Sequence, residues 1–282
     1  MLASDKERVD VLLVEQGFFE SRERAKAAVM AGLVFSGSER LEKPGMKISR
    51  ALPLQVKGAP HPYVSRGGLK LEKAVSAFAI DLKGARMLDI GASTGGFTDC
   101  ALKNGADSVC AIDVGYNQLD WSLRSDPRVM VLERTNFRYM EPKDLNGFTP
   151  DFATIDVSFI SLRLILPALV KLMPRGGTVA LIKPQFEAGR EQVGKSGVVR
   201  NAAVHCSVLA MVLDFAAELG FTLRGLTHSP ITGGEGNMEF LAYWSYDEAE
   251  QTQGSGGPRP DFSAAIQETV QLAHNTFRSS SS

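Results

Sequence analysis

The sequence predicts an α/β chain: a Rossmann-like, doubly wound sheet of mostly parallel strands, preceded by a small α+β head. Three observations carry that expectation. From residue 83 onward, short apolar runs of strand length alternate with longer stretches of helical spacing, the pattern of successive βαβ units. One of those runs passes directly into a glycine-rich turn and a helix, LDIGASTGGFTDCAL (88–102). Ahead of them, residues 8–58 show short helical and strand-like patterns of their own, studded with basic residues. At 282 residues and 44% apolar content the chain has room for about two domains and an ordinary core.

In the head, RVDVLLVEQG has helical apolar spacing and stops at Gly17. SRERAKAAVMAG follows, with Ser21 as N-cap, Ala25, Ala28 and Val29 on one face, and Gly32 as the stop. LVF, a Ser36-Gly37 turn, a KPG turn at 43–45 and PLQV suggest small strands. Residues 1–66 carry 11 Lys and Arg against 8 Asp and Glu, a net of +3, whereas the remainder carries 20 against 24, a net of −4. A basic head on a mildly acidic body suits a polyanionic partner. Taken singly, each basic residue reads equally well as part of a solvated helix face.

As a set, RVDVLLVEQG…SRERAKAAVMAGLVFSG…KPGMKI resembles the S4 RNA-binding domain, placed here at 7–58. The resemblance implies that Arg8, Arg22, Arg24, Lys26 and Lys47 grip an RNA backbone, and Arg66 joins them as a candidate. Arg50-Ala51 departs from that family, which often has an acidic residue there. GAPHPYVSRGG then reads as a linker, 59–67, held extended by two prolines and ended by a glycine pair.

In the body, 68–247, RMLDIG, SVCAID, VMVLE, DFATIDV and TVALIK read as buried parallel strands, and LRGLTHS and MEFLAYW could complete the sheet. DEAEQTQGSGGP, within 248–260, reads as a flexible linker. A final helix at 261–278 places Phe262, Ile266, Val270, Ala273 and Phe277 at helical spacing, as for packing onto the body, and the closing serines should fray.

The glycine turn has the spacing DxGxSTGG rather than GxGxxG, with Asp89 just before it and Asp113 ending the next strand, 24 residues on. Glycine lets a ligand approach the backbone, a helix N-terminus favours anionic groups, and a strand-end carboxylate can take ribose hydroxyls. The combination suits S-adenosylmethionine: Gly91, Ser93, Thr94, Gly95, Gly96 and Phe97 for its amino-acid part, Asp113 for its ribose, with Asp89, Asn136 and Asp156 completing the candidate set. A dinucleotide site or a purely structural turn is the alternative. GREQVGKS (189–196) matches GxxxxGK[ST], but LIKPQFEA separates it from its strand and GVVRN opposes helix initiation, so it reads as a chance match to a P-loop.

Asp156 and Lys183 close two further strands, which in a doubly wound sheet puts both at the carboxyl edge beside the cofactor crevice. No [DNS]PP[YF] motif stands at Asp156, as methylation of an exocyclic base nitrogen usually employs, and no Pro-Cys nucleophile is present for attack at a pyrimidine carbon. A lysine against an acid suits activation of a hydroxyl, with burial disfavouring the charge on Lys183; a plain salt bridge is the bland reading.

SRGGLKLEKA, LDIGASTGGFTD, IDVSFISL, LIKPQFE, GKSGVV and GGEGNMEF together resemble the TlyA family, S4-domain ribosomal RNA 2'-O-methyltransferases sometimes labelled haemolysins, whose catalytic domain is similar to the FtsJ type. The resemblance spans about residues 7 to 246 and implies a Lys-Asp-Lys-Glu tetrad: Lys70, Asp156, Lys183 and Glu239. It further implies S-adenosylmethionine as cofactor, no metal, and cytidines of 16S or 23S rRNA within ribosomal subunits as substrate.

Three cysteines without CxxC spacing, a charged MLASDKERVD start and no run of membrane-span length lead to the expectation of a soluble cytoplasmic protein. They count against a pore-forming haemolysin. A non-catalytic RNA-binding assembly factor is the other rival, which an intact tetrad disfavours.

Overall fold

A computed structural model describes residues 6–19, 21–30, 32–37, 39–56, 61–173, 175–194, 196–233, 236–251 and 260–279. The chain divides into two units, Met1–Arg66 and Gly67–Ser282.

The first unit runs β1 (Lys6–Arg8), α1 (Val9–Glu15), α2 (Arg22–Met30), β2 (Val34–Ser36), β3 (Glu39–Arg40), β4 (Lys47–Ser49) and β5 (Gln55–Val56). Strands β1 and β4 pair antiparallel, and β3-β2-β5 form a second small sheet. Val9, Leu12 and Leu13 fall on one face of α1 and meet Ala25 and Val29 of α2 in a closed core. Each large side chain so buried contributes about 1.5–3 kcal/mol to holding the module together. The Ser21 hydroxyl accepts from Arg24 N at 3.3 Å, and Gly32 follows α2 in the left-handed region, φ 71°.

The second unit runs α3 (Gly67–Ala77), β6 (Arg86–Ile90), α4 (Gly96–Lys103), β7 (Ser108–Ile112), α5 (Trp121–Arg124), β8 (Val129–Leu132), β9 (Phe152–Ile155), α6 (Leu166–Leu172), β10 (Arg175–Ile182), α7 (Pro184–Glu187), α8 (Ala202–Glu218), β11 (Thr222–His228), β12 (Phe240–Asp247), α9 (Glu248–Gln251) and α10 (Ser263–Ser279). Its seven strands lie in the order β11-β12-β10-β9-β6-β7-β8, parallel from β10 through β8, with β12 antiparallel to both its neighbours. This is the Rossmann-like, doubly wound sheet expected from the alternation of apolar runs, and all seven runs form strands. Strand order reverses between β6 and β9, the crevice where such sheets hold ligands. Leu88, Ile90, Ile112, Ile155 and Ile182 from the central strands form the heart of the core.

The structure alters three local expectations. Gly67 and Gly68 do not end a linker but form the first turn of α3. The stretch expected to be a linker at 248–260 begins with the short helix α9, and 252–259 lie outside the described residues. In α10, Ile266, Val270 and Ala273 are buried while Phe262 and Phe277 are half-buried. That helix is also tied to α8 by a buried imidazole pair, His205 Nδ1 to His274 Nε2 at 3.0 Å, with His205 Nε2 against Val199 O at 3.1 Å. Residues 280–282 lie outside the described ones.

Candidate active site

The sheet brings the site together because its carboxyl edge collects the ends of distant strands. Ile90 of β6 pairs with Ile112 of β7 and Ile155 of β9, so Gly91, Asp113 and Asp156 leave the sheet side by side. Ile182 of β10 pairs with Phe240 at the start of antiparallel β12, so Lys183 and Glu239 are the next residues beyond the ladder, at that same edge. Lys70 comes from the first turns of α3 and is only 8% exposed, unlike a solvated helix residue.

Lys183 Nζ lies 2.6 Å from Asp156 Oδ1 and donates to Ser158 Oγ at 2.9 Å. Lys70 Nζ lies 2.7 Å from Glu239 Oε2 and 3.6 Å from Asp156 Oδ2. All four of Lys70, Asp156, Lys183 and Glu239 therefore form one connected cluster, with Glu239 buried and Asp156 half-buried between the lysines. Burial works to lower the pKa of Lys70, but the carboxylates of Asp156 and Glu239 outweigh it and the net direction is upward. Lys70 is thus held as a cation. Lys183 has one carboxylate and one hydroxyl instead of two carboxylates.

The cofactor-side candidates cluster around the turn between β6 and α4. Gly91 N and Ala92 N both donate to Ile112 O, Ser93 takes φ 49°, and Gly95 caps α4 at φ 96°. Thr94 is half-buried at the tip of the turn, Gly96 opens α4, and Phe97 is buried. The Asp113 carboxylate accepts from Ser93 N at 2.8 Å and from Gly115 N at 2.6 Å, so it braces the turn while keeping lone pairs for further donors. Asn136 is exposed beyond β8 and lines an open cleft of about 360 Å³ with Arg134 and Tyr139. Val114, directly after Asp113, is an apolar side chain that is 70% exposed.

Two glycine-turn residues act otherwise than ligand approach would suggest. A Cβ on Gly91, φ 85°, would come within 2.5 Å of the Asp156 carbonyl, so glycine is needed there for the β9 chain to pass. Asp89 is buried, accepting from Thr98 Oγ1 at 2.6 Å and Thr154 Oγ1 at 3.1 Å. Burial pushes its pKa up to about 6 against the pull of those two hydroxyls. It supports the turn from below.

Four residues that the sequence reading did not single out complete the surroundings. Ser158 tethers Lys183. Glu187, buried, accepts from Ser161 Oγ at 2.6 Å and Leu162 N at 2.7 Å, locking the loop after β9 to the segment after β10. The arch between those ties carries Phe159, 90% exposed and at φ 64°, its ring 4.9 Å from that of Phe186. A left-handed phenylalanine costs about 1–2 kcal/mol and persists only where its surroundings fix it. Asn237 accepts from Val199 N at 3.1 Å and donates to Gly197 O at 3.0 Å, anchoring the strand end that carries Glu239. In the GxxxxGK[ST] match, Gly197 N turns back to Gly194 O and the next helix starts at Ala202; Lys195 lies outside the described residues.

In the first unit, the Arg8 guanidinium makes a bidentate pair with Asp10 at 2.9 and 3.0 Å, and Arg22 adds a contact at 3.1 Å. The Asp10 carboxylate is fully buried and held down to about 2, first by Arg8. Arg8 and Arg22 are therefore not independent surface cations but are fixed in place by a buried acid. Arg24, Lys26, Lys47 and Arg66 are exposed. Arg50 pairs with Glu7 at 3.2 Å and Glu15 at 2.8 Å, which accounts for a base at that position. Among the described residues no helix is long and apolar enough to cross a membrane, and no cluster of metal-ligating side chains occurs.

Comparison with known proteins bears on the same two units. Residues 63–246 match the FtsJ-like methyltransferase family and residues 7–51 the S4 domain. The chain is 56% identical to YqxC of Bacillus subtilis, a candidate rRNA methyltransferase, over 98% of this chain and 97% of that one. It is 42% identical to the 16S/23S rRNA (cytidine-2'-O)-methyltransferase TlyA of Mycobacterium tuberculosis, over 93% and 97%. A solved structure of a candidate hemolysin from Streptococcus thermophilus covers 99% of each chain at 52% identity with a TM-score of 0.76.

Proposed function

We propose that this chain, which belongs to the FtsJ-like methyltransferase family and carries an S4 domain ahead of it, methylates the ribose 2'-oxygen of a cytidine in ribosomal RNA from S-adenosylmethionine. The observation that carries the reading is the Lys70–Asp156–Lys183–Glu239 cluster, linked by contacts of 2.6 to 3.6 Å beside the glycine turn.

The residues around that turn fit the cofactor. The first turn of α4 offers backbone N–H groups to its carboxylate, Asp113 has capacity for ribose hydroxyls, and the bare Val114 suits one face of an adenine, with Asn136 at its edge. When bound, the cofactor supplies an electrophilic methyl group on a sulfonium. Lys183 accepts the proton of the ribose hydroxyl as its oxygen becomes the nucleophile. Asp156 holds Lys183, and Lys70 with Glu239 holds Asp156, so the cluster contributes mainly by orientation. Phe159, exposed beside Lys183, offers a face on which an unpaired base can stack. The S4 unit adds affinity through Arg24, Lys26, Lys47 and Arg66 together with the Asp10-fixed Arg8 and Arg22. Such phosphate contacts weaken steeply as salt rises.

Unmethylated ribosomal subunits incubated with methyl-labelled S-adenosylmethionine test the reading. Label is expected on a ribose 2'-oxygen, lost in Lys183→Ala while cofactor binding survives. Label on a base, or undiminished transfer by the variant, would sink it.

A further inference from the structure

The geometry points to Ser158 as a positioning residue for the proton acceptor, a fifth functional side chain beyond the cluster of four; this rests on the ribose-methylation reading. The amine nitrogen of a lysine is tetrahedral, with Cε at one corner and three corners for hydrogens or a lone pair. At Lys183 one corner is taken by the hydrogen bond to Ser158 Oγ at 2.9 Å, while Asp156 Oδ1 lies 2.6 Å away as the opposing charge. In the amine form the bond to Ser158 fixes one N–H, and with it the rotation that decides where the lone pair points. With Asp156 alone, the nitrogen could rotate about the Cδ–Cε bond and carry the lone pair off line.

The hydroxyl is not placed by accident of a free loop. One residue further on, Phe159 takes its left-handed conformation, and Ser161 with Leu162 then closes the arch onto Glu187. Lys183 and Glu187 lie four residues apart on the segment that leaves β10, so this short stretch holds the arch at both feet. The second foot, Glu187, fixes where Ser158 sits, and the first foot is Lys183 itself. In the proton transfer the ribose O–H bond breaks, a third N–H bond forms on Lys183, and Ser158 keeps its own proton throughout.

Kinetics on unmethylated ribosomal subunits with labelled S-adenosylmethionine test this. Ser158→Ala is expected to lower kcat about 10- to 100-fold while KM for subunits and the Kd for S-adenosylmethionine stay within about twofold. Ser158→Thr, which keeps the hydroxyl, is expected to recover most of the rate. Full activity in Ser158→Ala overturns the inference, as does a threonine variant no better than alanine, because then loop packing and not the hydroxyl matters. Mapping the wild-type product separates the two levels: label on a base removes the reading and the inference together, whereas ribose label with an unimpaired alanine variant removes the inference alone.

Discussion

Gly233→Ala offers a test of the acidic end of the cluster that leaves all four of its residues unsubstituted. Gly233 is not in the left-handed region, so alanine meets no backbone penalty there. Its Cβ would, however, lie 2.2 Å from Glu239 Oε1 and 2.8 Å from Cδ. Ordinary contact distances require the carboxylate to retreat by about 1 Å or more. Glu239 is 2% exposed and its other oxygen sits 2.7 Å from Lys70 Nζ, so a retreat of that size lengthens the ion pair. At an effective dielectric of about 20, lengthening such a pair of unit charges by about 1 Å costs roughly 1.5–2 kcal/mol. If the pair is needed to hold Asp156 in the transition state, this corresponds to a rate loss of roughly 10- to 30-fold. Single-turnover transfer to unmethylated subunits, with a cofactor titration and a thermal melt alongside, measures it. A wild-type rate in a folded variant would refute the view that the Lys70–Glu239 contact matters to transfer. A lost rate with lost cofactor affinity would place the effect elsewhere.

Three further outcomes are expected. Phe159→Ala should raise KM for subunits about 5- to 150-fold, the equivalent of about 1–3 kcal/mol of stacking, with cofactor affinity unchanged in a direct titration. Asp10→Asn leaves Arg8 and Arg22 without their charged anchor and should destabilise the first unit by about 1–3 kcal/mol, read by hydrogen exchange confined to residues 6–56. His205 is held down to about 4 by burial and then by His274, so its stabilisation is complete above the ordinary imidazole value and is lost as pH falls through about 4. Asp89, raised to about 6, works in the opposite direction, losing stability as pH rises through that value. The informative quantity is therefore the difference between wild-type and His205→Asn melting curves, which should narrow as pH falls from about 6.5 to 4. A constant difference would count against a buried neutral pair.

The strands were legible because burial on both faces writes itself as continuous apolar runs, and the strand ends at Asp156 and Lys183 followed from them. Lys70 and Glu239 were not legible from local chemistry and entered through family motifs. Their nearness depends on β12 running antiparallel, which puts its first residues, rather than its last, at the carboxyl edge beside Lys183. Direction of pairing leaves no mark in a single strand's pattern. The same gap explains Ser158 and Glu187, whose roles come from a left-handed residue between them that composition does not announce. Arg8 and Arg22 show the opposite case, where the sequence does carry a signal. Asp10 stands between Val9 and the Leu12–Leu13 pair, on a helix face whose spacing already says it is buried. An acid there needs a cation to be tolerated, so the two nearby arginines were its natural partners before any RNA was considered. Gly91 carries the same lesson: the glycine that suggests a ligand is required first by a neighbouring strand, since a Cβ would strike the Asp156 carbonyl before any cofactor arrives. The backbone of Asp156 and the glycine turn are thus locked in one arrangement. That lock is how a single site can keep methyl donor and proton-handling groups in register.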